Sequence, residues 1–189
     1  MFSIRRSNME ADWEVEIGPG AAVIDAAWSG SIDLVREPSR IVEIVEAKSF
    51  PPLADALTVL NAQLEESTVP PIRTLKCDLW YANDLDPDEM DAVVCEAGLA
   101  CYIDVLPRPP EQFFSLADAE KWVRRVVPFM RDVPCPSSRL DLVLRQAASS
   151  HTAGYGITAY LSGCGATLEH ARESLGNALR VFATTVTTR

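Results

Sequence analysis

The chain has 189 residues, 48% hydrophobic and 23% charged, with a formal net charge of -10. This balance suits one good-sized core and excludes a fibrous protein or wholesale disorder. The acidity argues against neutralising nucleic-acid phosphates or lying on an anionic membrane, and it suits solubility or the inhibition of a basic partner. No apolar run follows Arg5 and Arg6, so no secretory signal is read, and no stretch approaches the length of a transmembrane helix. Five cysteines without a C-x-x-C pair speak against a disulfide framework or a zinc ribbon. The expectation is a cytoplasmic protein with free thiols, a disordered segment over residues 1–10 and a single domain over 11–189.

In chain order, Trp13, Val15 and Ile17 alternate with Glu14 and Glu16 as in a strand. Gly18-Pro19-Gly20 stops that pattern and an extended apolar run resumes to Leu34, which predicts a hairpin. Ile41, Ile44 and Val45 fit a short helix or a strand equally well. From Pro51 to Glu66 the leucines recur at helical spacing, with proline in the first turn and Pro70-Pro71 as the stop. Ile72 to Tyr81 alternates, placing Leu75, Cys77, Leu79 and Tyr81 on one face with Lys76, Asp78 and Trp80 on the other. After an acidic connection, Leu99 to Leu106 returns as a strand with Cys101, Ile103 and Val105 inward.

Ser115 caps the next helix, which Pro128 should kink or end. Leu140, Leu142 and Leu144 form the inner face of a strand that turns through Ser149 to Gly154 into Tyr155 to Ser162. Thr167 then caps a final helix carrying Leu168, Ala171, Leu175, Ala178, Leu179 and Phe182. Two strands followed by a helix thus recur along the chain. The predicted fold is α+β: a two-layer sandwich with a largely antiparallel sheet of about five or six strands, helices on one face, built from ββα units.

Aspartate is depleted in strands, yet Asp25, Asp33, Asp78, Asp104 and Asp141 each sit between apolar residues in strand-like stretches. The first two lie in a hairpin of unassigned position. Asp78, Asp104 and Asp141 share the face turned away from the helices, where they could hold a hard divalent cation or act as an acid and base pair. The competing account is a solvated surface on which Arg139, Arg145 and Lys76 neutralise them. Trp80, Tyr102 and Tyr160 accompany Arg139 and Arg145 on that face, a composition enriched in buried interfaces. It predicts a homodimer, a protein partner or a small-molecule ligand, with no cofactor demanded.

Cys164, ahead of the last helix, could have its thiolate stabilised there, with His170 as its base. His151 lies too far along the strand to help. The plainer account is a tight turn with a small buried cysteine. Asp84-Leu85-Asp86-Pro87-Asp88 resembles a calcium loop but lacks the glycine and the closing glutamate that such a loop needs. Asp86 reads better as the cap of a short helix. The sequence therefore describes a binding protein first, a metal- or carboxylate-dependent enzyme second and a thiol enzyme third.

Overall fold

The computed structural model describes residues 8–20, 22–62, 71–109 and 112–188. The chain is α+β, with six described strands in one mixed, mostly antiparallel sheet. They are β1 (Glu10–Glu16), β2 (Ile24–Asp25), β3 (Ile72–Tyr81), β4 (Ala97–Pro107), β5 (Ser138–Ala148) and β6 (Ala153–Gly165). Their order in space is β1-β5-β6-β4-β3, with β2 also paired to β5. The helices are α1 (Val45–Ser49), α2 (Pro51–Asn61), α3 (Leu116–Arg131) and α4 (Leu168–Thr188), and a 3-10 helix spans Pro38–Glu43.

The strand alternation read from the sequence places the core. Cys101, Ile103 and Val105 of β4, Leu140, Leu142 and Leu144 of β5, and Ile157, Ala159 and Leu161 of β6 are buried in one cluster. The same cluster takes in Leu53, Leu57 and Leu60 of α2, Val123 and Val127 of α3, and Leu175, Leu179 and Phe182 of α4. At Gly163 a Cβ would come within 2.3 Å of the Leu175 backbone nitrogen, so the missing side chain is what lets α4 lie directly on β6. Ser115 caps α3 by accepting from the Asp118 backbone N–H at 3.1 Å, and Thr167 does the same for His170 at 3.3 Å.

Pro128 does not end α3, which continues to Arg131. Buried Val126, Val127 and Met130 hold the helix on both sides of it, and their packing outweighs the roughly 3 kcal/mol that an interior proline costs. Helix α2 ends at Asn61 rather than Glu66, with Ala62 extended; residues 63–70 lie outside the described residues. The buried Asn61 amide donates to the Leu57 carbonyl and to Thr74 Oγ1, both at 2.7 Å, while its oxygen accepts from the Thr74 backbone N–H. One side chain thus finishes the helix and clips it to β3.

The expected hairpin at the start of the chain is not formed. β1 runs parallel to β5, from Glu10 opposite Arg139 to Glu16 opposite Arg145, and β2 continues along the same edge opposite Ala147 and Ala148. Gly18-Pro19-Gly20 interrupts a chain that keeps its direction. The edge is locked from α3: the Arg131 Nε donates to the Ala11 carbonyl, and the Arg124 guanidinium lies 4.6 Å from the Trp13 ring centroid. Of the segment expected to be disordered, residues 1–7 lie outside the described residues. Asn8 bridges to Pro134, and Met9 is buried with its N–H bonded to the Val133 carbonyl.

The register of β3 also departs from simple alternation. A bulge between Thr74 and Cys77 turns Leu75 onto the opposite face from Cys77 and Leu79. There it joins Ile24, Leu106 and Ala147 in a second, smaller apolar cluster. β2 and the residues after it therefore cover one end of the sheet face expected to be open. The 82–96 connection covers the other end, with Met90 buried against Ser162. Around Asp86 that connection is a single turn instead of a short helix, its Oδ1 accepting from the Asp88 N–H at 2.9 Å. No described helix is long and apolar enough to cross a membrane.

Candidate functional site

Between the two covers the sheet face forms a trough whose floor is a row of side chains from successive strands. Trp80 of β3 lies 6.3 Å, centroid to centroid, from Tyr102 of β4, which lies 6.0 Å from Tyr160 of β6. Arg145 of β5 continues the row, its guanidinium 5.3 Å from the Tyr160 ring centroid and its Nη1 donating to the Tyr160 hydroxyl at 2.7 Å. Glu16 of β1 ends it by accepting from the Arg145 Nε at 2.8 Å. Register sets two of its pairs, since Tyr102 stands opposite Tyr160 and Arg145 opposite Glu16 on neighbouring strands.

Two residues along β4 from Tyr102 is Asp104, nine-tenths buried, accepting from Thr158 Oγ1 at 2.7 Å. Burial raises its proton affinity above the ordinary carboxylate value, against the Thr158 hydrogen bond and the charges of Arg145 and Lys76. Lys76, on this face as alternation from Asp78 and Trp80 requires, lies beside the Tyr102 hydroxyl, which together with Asp104 and Asp78 raises its pKa. The Tyr160 oxygen thus accepts from a cation and keeps its own proton free to donate. Burial, opposed by Lys76, lifts the Tyr102 pKa.

The segment after β2 closes this region from above. Val23, Asp25 and Trp28 join Leu75, Lys76, Tyr102, Asp104, Arg145, Thr158 and Tyr160 around a pocket of about 320 Å³. Lys76 Nζ lies 5.4 Å from the Trp28 ring centroid. Gly30 permits this, since a Cβ there would sit 2.3 Å from the Trp28 ring. A neighbouring pocket of about 340 Å³ shares Trp28, Leu75 and Lys76 and opens along the β3 edge beside Ile44 and Glu46.

Of the residues singled out from sequence, Trp80, Tyr102, Arg145, Tyr160 and Asp104 are brought together. Arg139 stands apart, its guanidinium engaged by Asp141 on its own strand at 2.7 and 2.8 Å. The three carboxylates do not converge: β4 and β6 separate Asp78 on β3 from Asp141 on β5, roughly 14 Å at the usual strand spacing. Among the described residues no group of three His, Cys, Asp or Glu side chains could hold a metal ion. Asp25, unplaced by sequence, lines the pocket, while Asp33 lies outside any strand and accepts from the N–H groups of Val35 and Arg36. Thr158, expected on this face from strand alternation, lines the pocket too, and Trp28 completes the site with no motif to signal it.

The thiol pair is also separated. β6 extends to Gly165, so Cys164 is a strand residue rather than part of a turn. It faces the 82–96 connection, whereas its neighbours Gly163 and Gly165 face α4, which carries the exposed His170. Burial and the neighbouring Cys95 thiol push its pKa up to about 12, the reverse of what a nucleophile needs. No family model, curated protein or solved structure matches the chain.

Proposed function

We propose that the protein acts by binding a small ligand in the trough over Asp104. The observation that carries this reading is the pocket of about 320 Å³, roofed by Trp28 and floored by Tyr102 and by Tyr160, whose hydroxyl is held by Arg145, with Lys76 at its side. Val23, Trp28 and Leu75 are its apolar lining and the remaining groups are polar or charged, so the pocket suits a polar ligand whose orientation those convergent groups would fix. On this reading the chain from residue 11 to 189 is one cytoplasmic two-layer sandwich of ββα units, and the pocket is its working surface. Homodimer formation or a protein partner across the same row is the competing use.

A thermal-shift panel of metabolites and nucleotides, run with light scattering, separates these uses. A ligand that raises the melting temperature of the wild type, and fails to do so for Tyr160→Phe and Trp28→Ala, supports the pocket. A melting temperature that rises with protein concentration, with no response to any panel member, rejects it for self-association. A second reading, acid–base chemistry at Asp104, is favoured by the raised proton affinity of that buried carboxyl. It predicts that Asp104→Asn retains binding and loses turnover of the bound compound; retained turnover rules it out.

A further inference from the structure

We propose that Cys95 and Cys164 form a reversible oxidation site, at which a hydroperoxide converts the two thiols into a disulfide tying the 82–96 connection to β6. The chain on both sides of Cys95 is seated on the strand that carries Cys164. Cys164 Sγ lies 4.0 Å from the Val94 carbonyl oxygen, and the Glu96 N–H donates to the Gly165 carbonyl at 3.0 Å. The Cys95 thiol is close enough to Cys164 to help raise its pKa. Cys95 is half-buried and Cys164 buried beneath it, so an oxidant from solvent meets Cys95 first. The other three cysteines are placed differently: Cys77 and Cys101 face the helices, and Cys135 lies against Ser138.

The chemistry balances as a two-electron oxidation. The Cys95 thiolate attacks the O–O bond, takes one oxygen as a sulfenic acid, and the displaced fragment leaves as water or an alcohol after gaining the thiol proton. The Cys164 sulfur then attacks the Cys95 sulfur, and the sulfenic hydroxyl departs with the Cys164 proton as water. Thiols are oxidised, the hydroperoxide is reduced, and a thiol reductant reverses the outcome. Because Cys164 is buried while Cys95 is half-exposed, its part is to resolve the sulfenic acid, giving up its proton as it attacks, and not to meet the oxidant. The result fastens Met90 and its loop over Ser162, at the end of the trough opposite β2. None of this depends on the ligand reading.

The test uses hydrogen peroxide on the intact protein, followed by denaturation, alkylation and peptide mapping. Of the five cysteines, all should alkylate before oxidation, only Cys77, Cys101 and Cys135 after it, and all again after dithiothreitol. A linked Cys95–Cys164 peptide should accompany a rise in melting temperature of about 5–10 °C, since the crosslink closes a long loop in the unfolded chain. Cys95→Ser changes a half-buried position and should keep the fold while abolishing both effects. Undiminished alkylation, Cys95 passing to sulfinic acid with Cys164 still free, or a disulfide that uses another cysteine would each overturn the proposal.

Discussion

On the helix-facing side of β5, Leu140, Leu142 and Leu144 are fully buried, whereas on its other side Arg139, Asp141 and Arg145 are half-buried and each is held by a polar partner. One strand therefore obeys two rules. The inner side is held by close packing and tolerates little change in volume. The outer side keeps its polar groups because every charge in the row has a counterpart: Lys76 with Tyr102, Arg145 with Glu16 and Tyr160, Asp104 with Thr158. At its two ends, under β2 and under the 82–96 connection, the outer face becomes a core of its own.

Large-to-small changes should separate the two faces most strongly. Leu161→Ala, in the main cluster, is expected to cost about 2–5 kcal/mol in urea unfolding. Leu106→Ala, in the small outer cluster, should fall near the lower end of that range, about 2–3 kcal/mol, because the β2 cover can settle onto the space. Equal losses would mean that the outer cluster is packed as tightly as the inner one. Asn61→Ala strands the Thr74 N–H and hydroxyl that it now satisfies, and about 1–3 kcal/mol should go with them.

The pH dependence sharpens the contrast further. Burial, opposed by Thr158, Arg145 and Lys76, places the folded pKa of Asp104 above its ordinary 3.8. Between those two values the native state holds more proton than the unfolded chain. Stability contributed by this group therefore falls as pH rises through that window, and levels off above the folded pKa. Asp104→Asn keeps an acceptor for Thr158 and removes the slope, so its stability relative to wild type should improve from acid to neutral pH. A difference independent of pH would contradict the raised proton affinity. The smallest effect belongs to Arg139→Met, where the half-buried, solvent-accessible pair with Asp141 is worth about 0–1 kcal/mol and should weaken further with salt.

The sheet edges bear on how the protein meets partners. β1 presents Glu10, Glu14 and Glu16, and β3 carries the bulge and Lys76. Charge and irregularity on edge strands oppose strand-to-strand association.

Much of the inner architecture was legible because it depends on local repetition. The alternation of Leu140, Leu142 and Leu144, the helical spacing of Leu168 to Phe182 and the caps at Ser115 and Thr167 need no distant information. The tendency of Trp80, Tyr102, Arg145 and Tyr160 to share a face was legible for the same reason. The strand pairing of β1 with β5 was not, since Gly18-Pro19-Gly20 reads equally well as a reversal or as a step in a chain that keeps its direction. The face of Leu75 was hidden too, because a bulge shifts side-chain parity without a residue type that announces it.

The sequence by itself determined the α+β class, the inner faces and the polar, aromatic character of the outer one, all of which follow from period and composition. Tertiary structure alone decided that Asp78 and Asp141 stand apart, that Asp104 is buried beside Thr158, and that Asp25 and Trp28 close a pocket over it. It also turned Cys164 away from His170 and toward the 82–96 connection. The physical reason is common to all of these. Which strands are neighbours, and which way a residue faces after a bulge, depend on contacts between distant segments that no local pattern encodes.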